Sequence, residues 1–472
     1  MPASHILASA VTAVAARWPD ALASALQTRF GQRLSTAHAV REQHARGESP
    51  FAPALPDAVV YAESVEDVQF VLRHCNEAGV PVIAHGAGSS LEGQLLALRG
   101  GVSLDLNRMN RIERIDAEDF TATVQPGVTK EQLNQALRDL GLFFPVDPGA
   151  HATLGGMCAT RASGTTTVRY GTMRDNVRAM TVVLADGRVV RVGTRAVKSS
   201  AGYDLTRLFI GSEGTLGVIT EITLRLYPLP EAVSAAVVTF ADTAGAVTTV
   251  IEALQASLPI ARSEYLCAAS IRAIAAANPD LALRPRPTLF VEFHGSPTSL
   301  QEQSELLRDI ALSHGGEDFE WAHAPEARTR LWQARHKAYY SCKLSRAGAE
   351  VVVTDTCVPI SRLADCIAQA GEVMASASFP HMTFGHVGEG NFHVLMIIDP
   401  SQPRELEEAE RLNAHVVDIA LNAGGTCTGE HGIGMHKKDF LLRETGQEAV
   451  DLMRSIKSLL DPRGILNPGK IF

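Results

Sequence analysis

The chain has 472 residues, with 43 Lys+Arg against 52 Asp+Glu, a net charge of −9, 46% hydrophobic residues and 38 glycines. That length exceeds one ordinary core and predicts two or three packed units, while interspersed charges of net negative sign exclude a nucleic-acid partner. No apolar run approaches the roughly 20 residues of a bilayer crossing, so the expected place is the cytoplasm, at most peripheral to the inner membrane.

Residues 1–50 read as mostly helical. Leu7 to Ala16 is interrupted by Thr12 and lacks a basic flank, so it reads as a helix face and not a signal peptide. The first 19 residues also share some composition with organelle transit peptides, but Pro2 and the single cation fit that poorly. A proline-rich linker, Gly47 to Pro56, leads to a strand near Val59. Ser64 with Asp67 predicts a capped helix whose face is Val68, Val71, Leu72 and Cys75 and which ends at Gly79. A short strand, Pro81 to Ala84, precedes His85-Gly-Ala-Gly-Ser-Ser90. Strands follow near Val102 to Leu106 and Ala122 to Gln125. Thr129 and Gln132 then form a capping box for a helix with Leu133, Leu137 and Leu140 on one face and Gly141 at its end. Asp186-Gly187 between two valine-rich runs predicts a hairpin with a two-residue turn, and Leu216 to Tyr227 a further β stretch before Pro228-Leu-Pro230.

From 230 to 425 strands (near 235–240, 289–293, 351–357 and 382–398) alternate with helices (near 243–256, 299–313, 325–343, 361–376 and 403–422). This predicts an α+β module with an antiparallel sheet covered by helices. Residues 426–472 return to loops and one helix near 446–460. Seven cysteines, widely spread and with no CxxC pair, predict neither a disulfide framework nor an iron–sulfur site and indicate a reducing compartment.

Four glycine-rich segments stand out: Gly86 to Gly93, Pro148-Gly-Ala150, Gly155 to Gly164 and Gly211 to Gly217. Glycine allows positive φ and removes the Cβ that keeps an anion from backbone N–H groups, so such loops suit a pyrophosphate, although any one alone reads more readily as a tight turn. No GxxxxGK[ST] occurs, and Gly86-Ala-Gly88 lacks the spacing of a Rossmann site, so a dinucleotide here needs another fold.

The order of motifs resembles the FAD-linked oxidase/transferase type 4 family, in its D-lactate dehydrogenase branch. The matching strings are Pro81 to Gly93, Asp147-Pro-Gly149, Gly155-Gly156, Ser163-Gly164, Arg169-Tyr-Gly-Thr-Met-Arg-Asp-Asn176, Gly202-Tyr-Asp204, Gly211 to Gly217, Gly385 to His393, Gly429-Glu-His-Gly-Ile-Gly434 and Asn467-Pro-Gly-Lys470. The resemblance implies an α+β protein with a two-part FAD-binding domain of vanillyl-alcohol-oxidase/PCMH type at 51–229. It further implies an α+β cap on an antiparallel sheet at 230–425 and a C-terminal segment, 426–472, returning to the flavin. By resemblance Gly86, Ala87, Gly88, Ser89 and Ser90 hold the pyrophosphate of FAD. Pro148, Gly149, Gly155, Gly156, Ser163, Gly164, Tyr170, Glu213, Gly214 and Ile219 line the rest of the cofactor. Ser89 stands where covalent members of the fold carry a histidine, so non-covalent FAD is expected.

His386-Val-Gly-Glu-Gly-Asn-Phe-His393 permits an independent reading. If Glu389-Gly390 is a two-residue turn, 386 pairs with 393, and both imidazoles leave one face about 5 Å apart at Cβ. Such a pair suits a divalent metal, or serves as hydrogen-bonded sheet residues. The family pattern implies the metal, Zn or Mn, with Glu430 as third ligand beside His386 and His393. His431 is then left as the base for the hydroxyl proton, and Arg335 matches the family's carboxylate-binding position. In the family pattern, 2-hydroxyglutarate members add a lysine where Val353 stands here. The expected activity is oxidation of a D-2-hydroxy acid, D-lactate to pyruvate, with electrons passed to a cytochrome, quinone or electron-transfer protein. A flavin subunit of a glycolate oxidase-type complex and a D-2-hydroxyglutarate dehydrogenase are the alternatives. A homodimer and a peripheral membrane contact are compatible with the same resemblance.

Overall fold

The computed structural model describes residues 19–49, 51–278, 283–322 and 324–472; the helix face expected at 7–16 lies outside them. The chain forms two compact units. One comprises Met1–Ser163, Thr172–Leu229 and Glu430–Phe472, and the other Gly164–Gly171 and Pro230–Gly429.

In the first unit, β1 (Leu34–Ser35), β2 (Ala58–Tyr61), β3 (Val82–His85) and β4 (Val102–Asp105) form a sheet of order β1-β2-β4-β3. β2, β4 and β3 run parallel. Parallel strands are covered on both faces, which is why they read as nearly continuous apolar runs. The helix Val65–Ala78 is capped by the Ser64 side chain accepting from Asp67 N–H and stopped by Gly79 at φ +67°. It lays Val68, Val71, Leu72 and Cys75 into the core with Val60, Val82, Val102 and Leu104. A second, antiparallel sheet joins β5 (Ile112–Asp116), β6 (Thr121–Val124), β8 (Val177–Val183), β9 (Val189–Gly193) and β10 (Val218–Arg225) in the order β5-β6-β10-β8-β9. The short pair β7 (Leu142–Phe143) and β11 (Tyr227–Pro228) stands apart. Thr129 and Gln132 close a capping box on the helix Lys130–Leu137. Leu140, expected on the buried face, is 49% exposed because the α-helix has already given way to a 3₁₀ turn. Sequence reading missed β5, whose Ile-Glu-Arg-Ile-Asp pattern is that of a charged sheet edge.

The second unit is one antiparallel sheet of β12 (Ala232–Phe240), β13 (Ile260–Leu266), β14 (Thr288–Gly295), β15 (Gly316–Ala322), β16 (Glu350–Val353), β17 (Thr356–Cys357), β18 (His381–His386) and β19 (Asn391–Ile398). Its order is β15-β12-β14-β13-β18-β19-β16, with β17 beside β19. The helices Thr243–Gln255, Pro297–Ser313, Leu363–Met374 and Pro403–Asn422 cover one face, sharing a core with Val238, Phe240, Val291 and Val394. On the other face Ile271, Ile274, Trp332 and Cys342 pack with Val237, Phe290 and Leu395. β13, which sequence reading also missed, carries Arg262, Ser263 and Glu264 mid-strand, so no apolar run marks it. Among the described residues no helix is long and apolar enough to cross a membrane.

Candidate functional site

The first unit supplies a phosphate-type cradle. β3 ends at His85 and the chain turns through Gly86 to Ser90, with Gly88 at φ +83°. The turn is tied from β4: Asn107 donates from Nδ2 to Gly86 O (2.8 Å) and from N to Asp105 Oδ1 (2.8 Å). A Cβ at Gly86 would fall 2.5 Å from Thr153 Oγ1, so the loop lies against the turn that caps the helix Leu154–Thr160. That helix carries Gly155, where a Cβ would strike Pro126 at 2.5 Å, and Gly156, whose N–H donates to Thr153 Oγ1. Gly149 is exposed with open space around its Cβ position, and Pro148 is half-buried beside it. A Cβ at Gly214, which sits at φ +71°, would lie 3.8 Å from Ala84 Cβ of β3, and Ile219 is buried on β10. Ala87 is exposed and Ser89 half-buried, while Ser90 Oγ is buried with no hydrogen-bond partner. A turn that lacks a Cβ at Gly86 and Gly88 and carries an unsatisfied buried hydroxyl at Ser90 fits an anionic pyrophosphate.

Beneath the cradle, His44 Nδ1 bonds Val40 O (2.9 Å) and Nε2 bonds Asp105 Oδ2 (2.9 Å). Both nitrogens therefore face acceptors, which calls for the imidazolium. Burial opposes that charge, but Asp105 outweighs it and the His44 pKa is raised. His85 stacks 4.4 Å from His44 with neither nitrogen bonded. Burial, with the His44 charge added, drives its pKa down to about 4.

The C-terminal segment is stitched into the same unit by two buried carboxylates. Glu92 receives Lys437 Nζ (3.0 Å) and His436 Nδ1 (2.8 Å), and lies 3.5 Å from His431 Nδ1. Burial pushes its pKa up, yet these groups hold it well below the ordinary carboxylate range. Glu213 accepts from the N–H groups of Ile433 (2.7 Å) and Gly434 (2.8 Å), and burial raises its pKa to about 7. Gln94 Nε2 donates to His431 O (2.8 Å), and Ser163 Oγ to Glu430 Oε2 (2.7 Å). The structure thus brings Ser163, Glu430 and His431 into one unit and turns the Glu213 carboxylate onto backbone.

The second unit holds Gly164, Tyr170, Arg335, His386 and His393. The expected two-residue turn at Glu389-Gly390 is not formed. Residues 387–390 make a four-residue turn, and the register pairs His386 with Asn391 and Phe384 with His393. Gly390 at φ +87° runs so close to Val358 O that a Cβ would lie 2.0 Å from it, and Gly388 is pressed on Val168. These packing demands set the wider turn. A slip of two residues preserves side-chain parity, so the imidazoles still share a face, as diagonal neighbours with centroids 5.7 Å apart.

His386 Nδ1 bonds Glu264 Oε1 (2.5 Å), and His393 Nδ1 bonds Thr354 O (3.0 Å). An Nδ1–H so engaged puts the lone pair of each ring on Nε2. Arg335 Nε donates to Glu264 Oε2 (2.6 Å), with its guanidinium 4.6 Å over the Phe384 ring. Complete burial pushes the Glu264 carboxyl up, but His386 and Arg335 bring it below its ordinary value. Asp355, buried, receives Thr428 Oγ1 (2.7 Å) and Asn391 Nδ2 (3.1 Å) and lies 3.9 Å from His393 Nδ1. Tyr170 OH bonds His294 Nδ1 (2.7 Å), whose Nε2 meets Glu292 (2.9 Å).

Sequence reasoning missed Glu92, Glu264 and Asp355. Glu92, in the Leu-Glu-Gly that closes the first glycine loop, and Asp355, just after three valines, were visible as acids in apolar surroundings. Glu264 carried no signal, because its strand was itself unrecognised.

The FAD binding domain family matches residues 56–193, and the family described as FAD linked oxidases, C-terminal domain, matches residues 229–471. The Danio rerio protein named "Probable D-lactate dehydrogenase, mitochondrial" is 47% identical over 93% of this chain and 88% of its own. The Arabidopsis thaliana mitochondrial D-lactate dehydrogenase [cytochrome] is 44% identical over 96% of this chain and 80% of its own. Among solved structures, p-cresol methylhydroxylase with substrate bound superimposes with a TM-score of 0.78 at 19% identity, covering 96% of both chains, a likeness of fold.

Proposed function

Because the chain belongs to the FAD-linked oxidases, we propose that it binds FAD non-covalently, oxidises D-lactate to pyruvate and passes the electrons to a separate acceptor of cytochrome or quinone type. The observation that carries this reading is the pair Arg335 and His386 held on the two oxygens of one buried carboxylate, with His393 on the same face. It sets a carboxylate-binding fork beside paired imidazoles, which is what a 2-hydroxy acid presents a need for: one anion and one hydroxyl.

FAD supplies the two-electron acceptor, which no side chain of this chain can. Gly86 to Ser90 would hold its pyrophosphate, with backbone N–H groups and the Ser90 hydroxyl as the donors available there. Pro148, Gly149, Gly155, Gly156, Ser163, Gly164, Tyr170, Glu213, Gly214 and Ile219 line its remainder. With Nε engaged by Glu264, the Nη groups of Arg335 grip the substrate carboxylate and fix its orientation. His431, with Nδ1 turned to Glu92, accepts the hydroxyl proton at Nε2. His386 and His393 would hold a divalent cation, Zn or Mn, with Glu430 as the third ligand that the family pattern implies, and such a cation would acidify a bound hydroxyl. Val353 offers no partner for a second carboxylate, and burying one unpaired costs several kcal/mol, so a monocarboxylate is preferred.

The purified chain, kept anaerobic, tests the reading directly. D-Lactate should bleach the flavin absorbance and L-lactate should not. A protein that takes up no FAD, or whose bound FAD no D-2-hydroxy acid reduces, would overturn it.

A further inference from the structure

We propose that Glu264 is a positioning residue that sets two groups of the site at once, the ligand face of His386 and the angle of the Arg335 fork. This rests on the reading of the site given above. Glu264 stands mid-strand on β13, directly opposite His386 of β18, and is completely buried. Its oxygens are divided one to each partner: Oε1 takes His386 Nδ1 at 2.5 Å and Oε2 takes Arg335 Nε at 2.6 Å. The first bond consumes the Nδ1 proton, which leaves the Nε2 lone pair of His386 directed away from the strand. The second fixes one edge of the guanidinium, whose plane is also set by the Phe384 ring at 4.6 Å. His393 is the internal comparison, since its Nδ1 is held at 3.0 Å by the Thr354 backbone carbonyl. The His386 bond, by contrast, couples its imidazole to the fork through one shared carboxylate.

The competing account makes Glu264 a buried ion pair that serves the sheet alone. Glu264→Gln separates the two, because an amide has one accepting oxygen and cannot serve both donors. Both proteins would be loaded with FAD and rates normalised to bound flavin. The expected result is a KM for D-lactate raised tenfold or more and an affinity for Mn²⁺ or Zn²⁺, read by equilibrium dialysis, lowered ten- to a hundredfold. kcat at saturating substrate and metal should stay within about tenfold. In metal-free protein the ¹⁵N signals of the His386 ring should show Nδ1–H in the parent and a mixture of tautomers in the variant.

Glu405→Gln is the control. Glu405 holds Arg346 by two bonds elsewhere in the same unit, so its loss should lower Tm and leave KM and metal affinity alone. A Glu264→Gln protein that behaves as the control does, with lower Tm but unchanged KM, metal affinity and tautomer, overturns the proposal. Should it fail to load FAD, Glu264→Asp, one methylene too short to reach both donors, carries the same measurements. If the parent oxidised no 2-hydroxy acid, the activity assignment would fall, while metal affinity and ring tautomer would still decide the role of Glu264.

Discussion

Glu92, Glu213 and Glu264 are all buried, yet they meet different donors and so hold charge differently. Glu92 faces lysine and histidine and stays ionised; Glu213 faces two backbone N–H groups and is raised to about 7; Glu264 is balanced between an imidazole and a guanidinium. The same reasoning separates Glu430 from His431. Glu430→Ala should lower bound metal and turnover together, partly restored by excess Zn²⁺ or Mn²⁺. His431→Ala should keep its metal and its FAD but lower kcat by roughly two to four orders of magnitude. Metal analysis beside steady-state rates checks both, and loss of metal in His431→Ala would reassign the roles.

His85 provides a pH test at the same scale. Its folded pKa of about 4 lies below the ordinary 6.5, so the unfolded chain takes up a proton first as the pH falls. That destabilises the native state from about pH 6.5 downward and has no effect above it. His85→Phe removes the term, so its stability relative to the parent should be about 2 kcal/mol more favourable at pH 5 than at pH 8. His44, whose folded pKa is raised by Asp105, acts with the opposite sign: its contribution is full below pH 6.5 and fades as the pH rises. Urea titrations at the two pH values measure the difference.

At the scale of elements, the glycines divide into those that end a helix and those that admit a neighbour. Gly79 lies at φ +67° with nothing near its Cβ position, so Gly79→Ala meets only the left-handed backbone penalty, about 1 kcal/mol. Gly390, at φ +87°, has Val358 O where the Cβ would stand, and Gly390→Ala should cost about 3 kcal/mol or more. Because that residue sets the 387–390 turn, its variant should also lose metal affinity, whereas Gly79→Ala should not. Equal destabilisation of the two by urea unfolding would remove the steric argument.

At the scale of the whole molecule, each unit builds its own core and carries its own part of the proposed chemistry. The first contributes the cradle with Glu430 and His431, and the second the imidazole pair with Arg335. FAD should be released intact when acid or heat denatures the protein, since Ser89 offers no attachment point; flavin precipitating with the chain would show otherwise. kcat/KM for D-lactate should exceed that for D-2-hydroxyglutarate, and a preference for the dicarboxylate would require a second cation that Val353 does not provide.

Local grammar was enough for much of this protein. The capped helices at Ser64 and Thr129, the hairpin around Asp186-Gly187 (though its register centres an odd-numbered loop on Asp186 in place of the expected two-residue turn), the alternating elements after Pro230 and the order of glycine motifs that marks the family all depend on neighbours within a few residues, whose preferences act before any long-range contact forms. Even the shared face of His386 and His393 was legible, because parity along a strand survives a slip of two. The register itself was decided by Val358 packing on Gly390, and the role of Glu264 by His386 and Arg335, which stand 122 and 71 residues away along the chain. A polar residue in the middle of an interior strand has no local pattern to announce it. Its place is set by the partners that satisfy its buried charge, and those come together only when the sheet has closed.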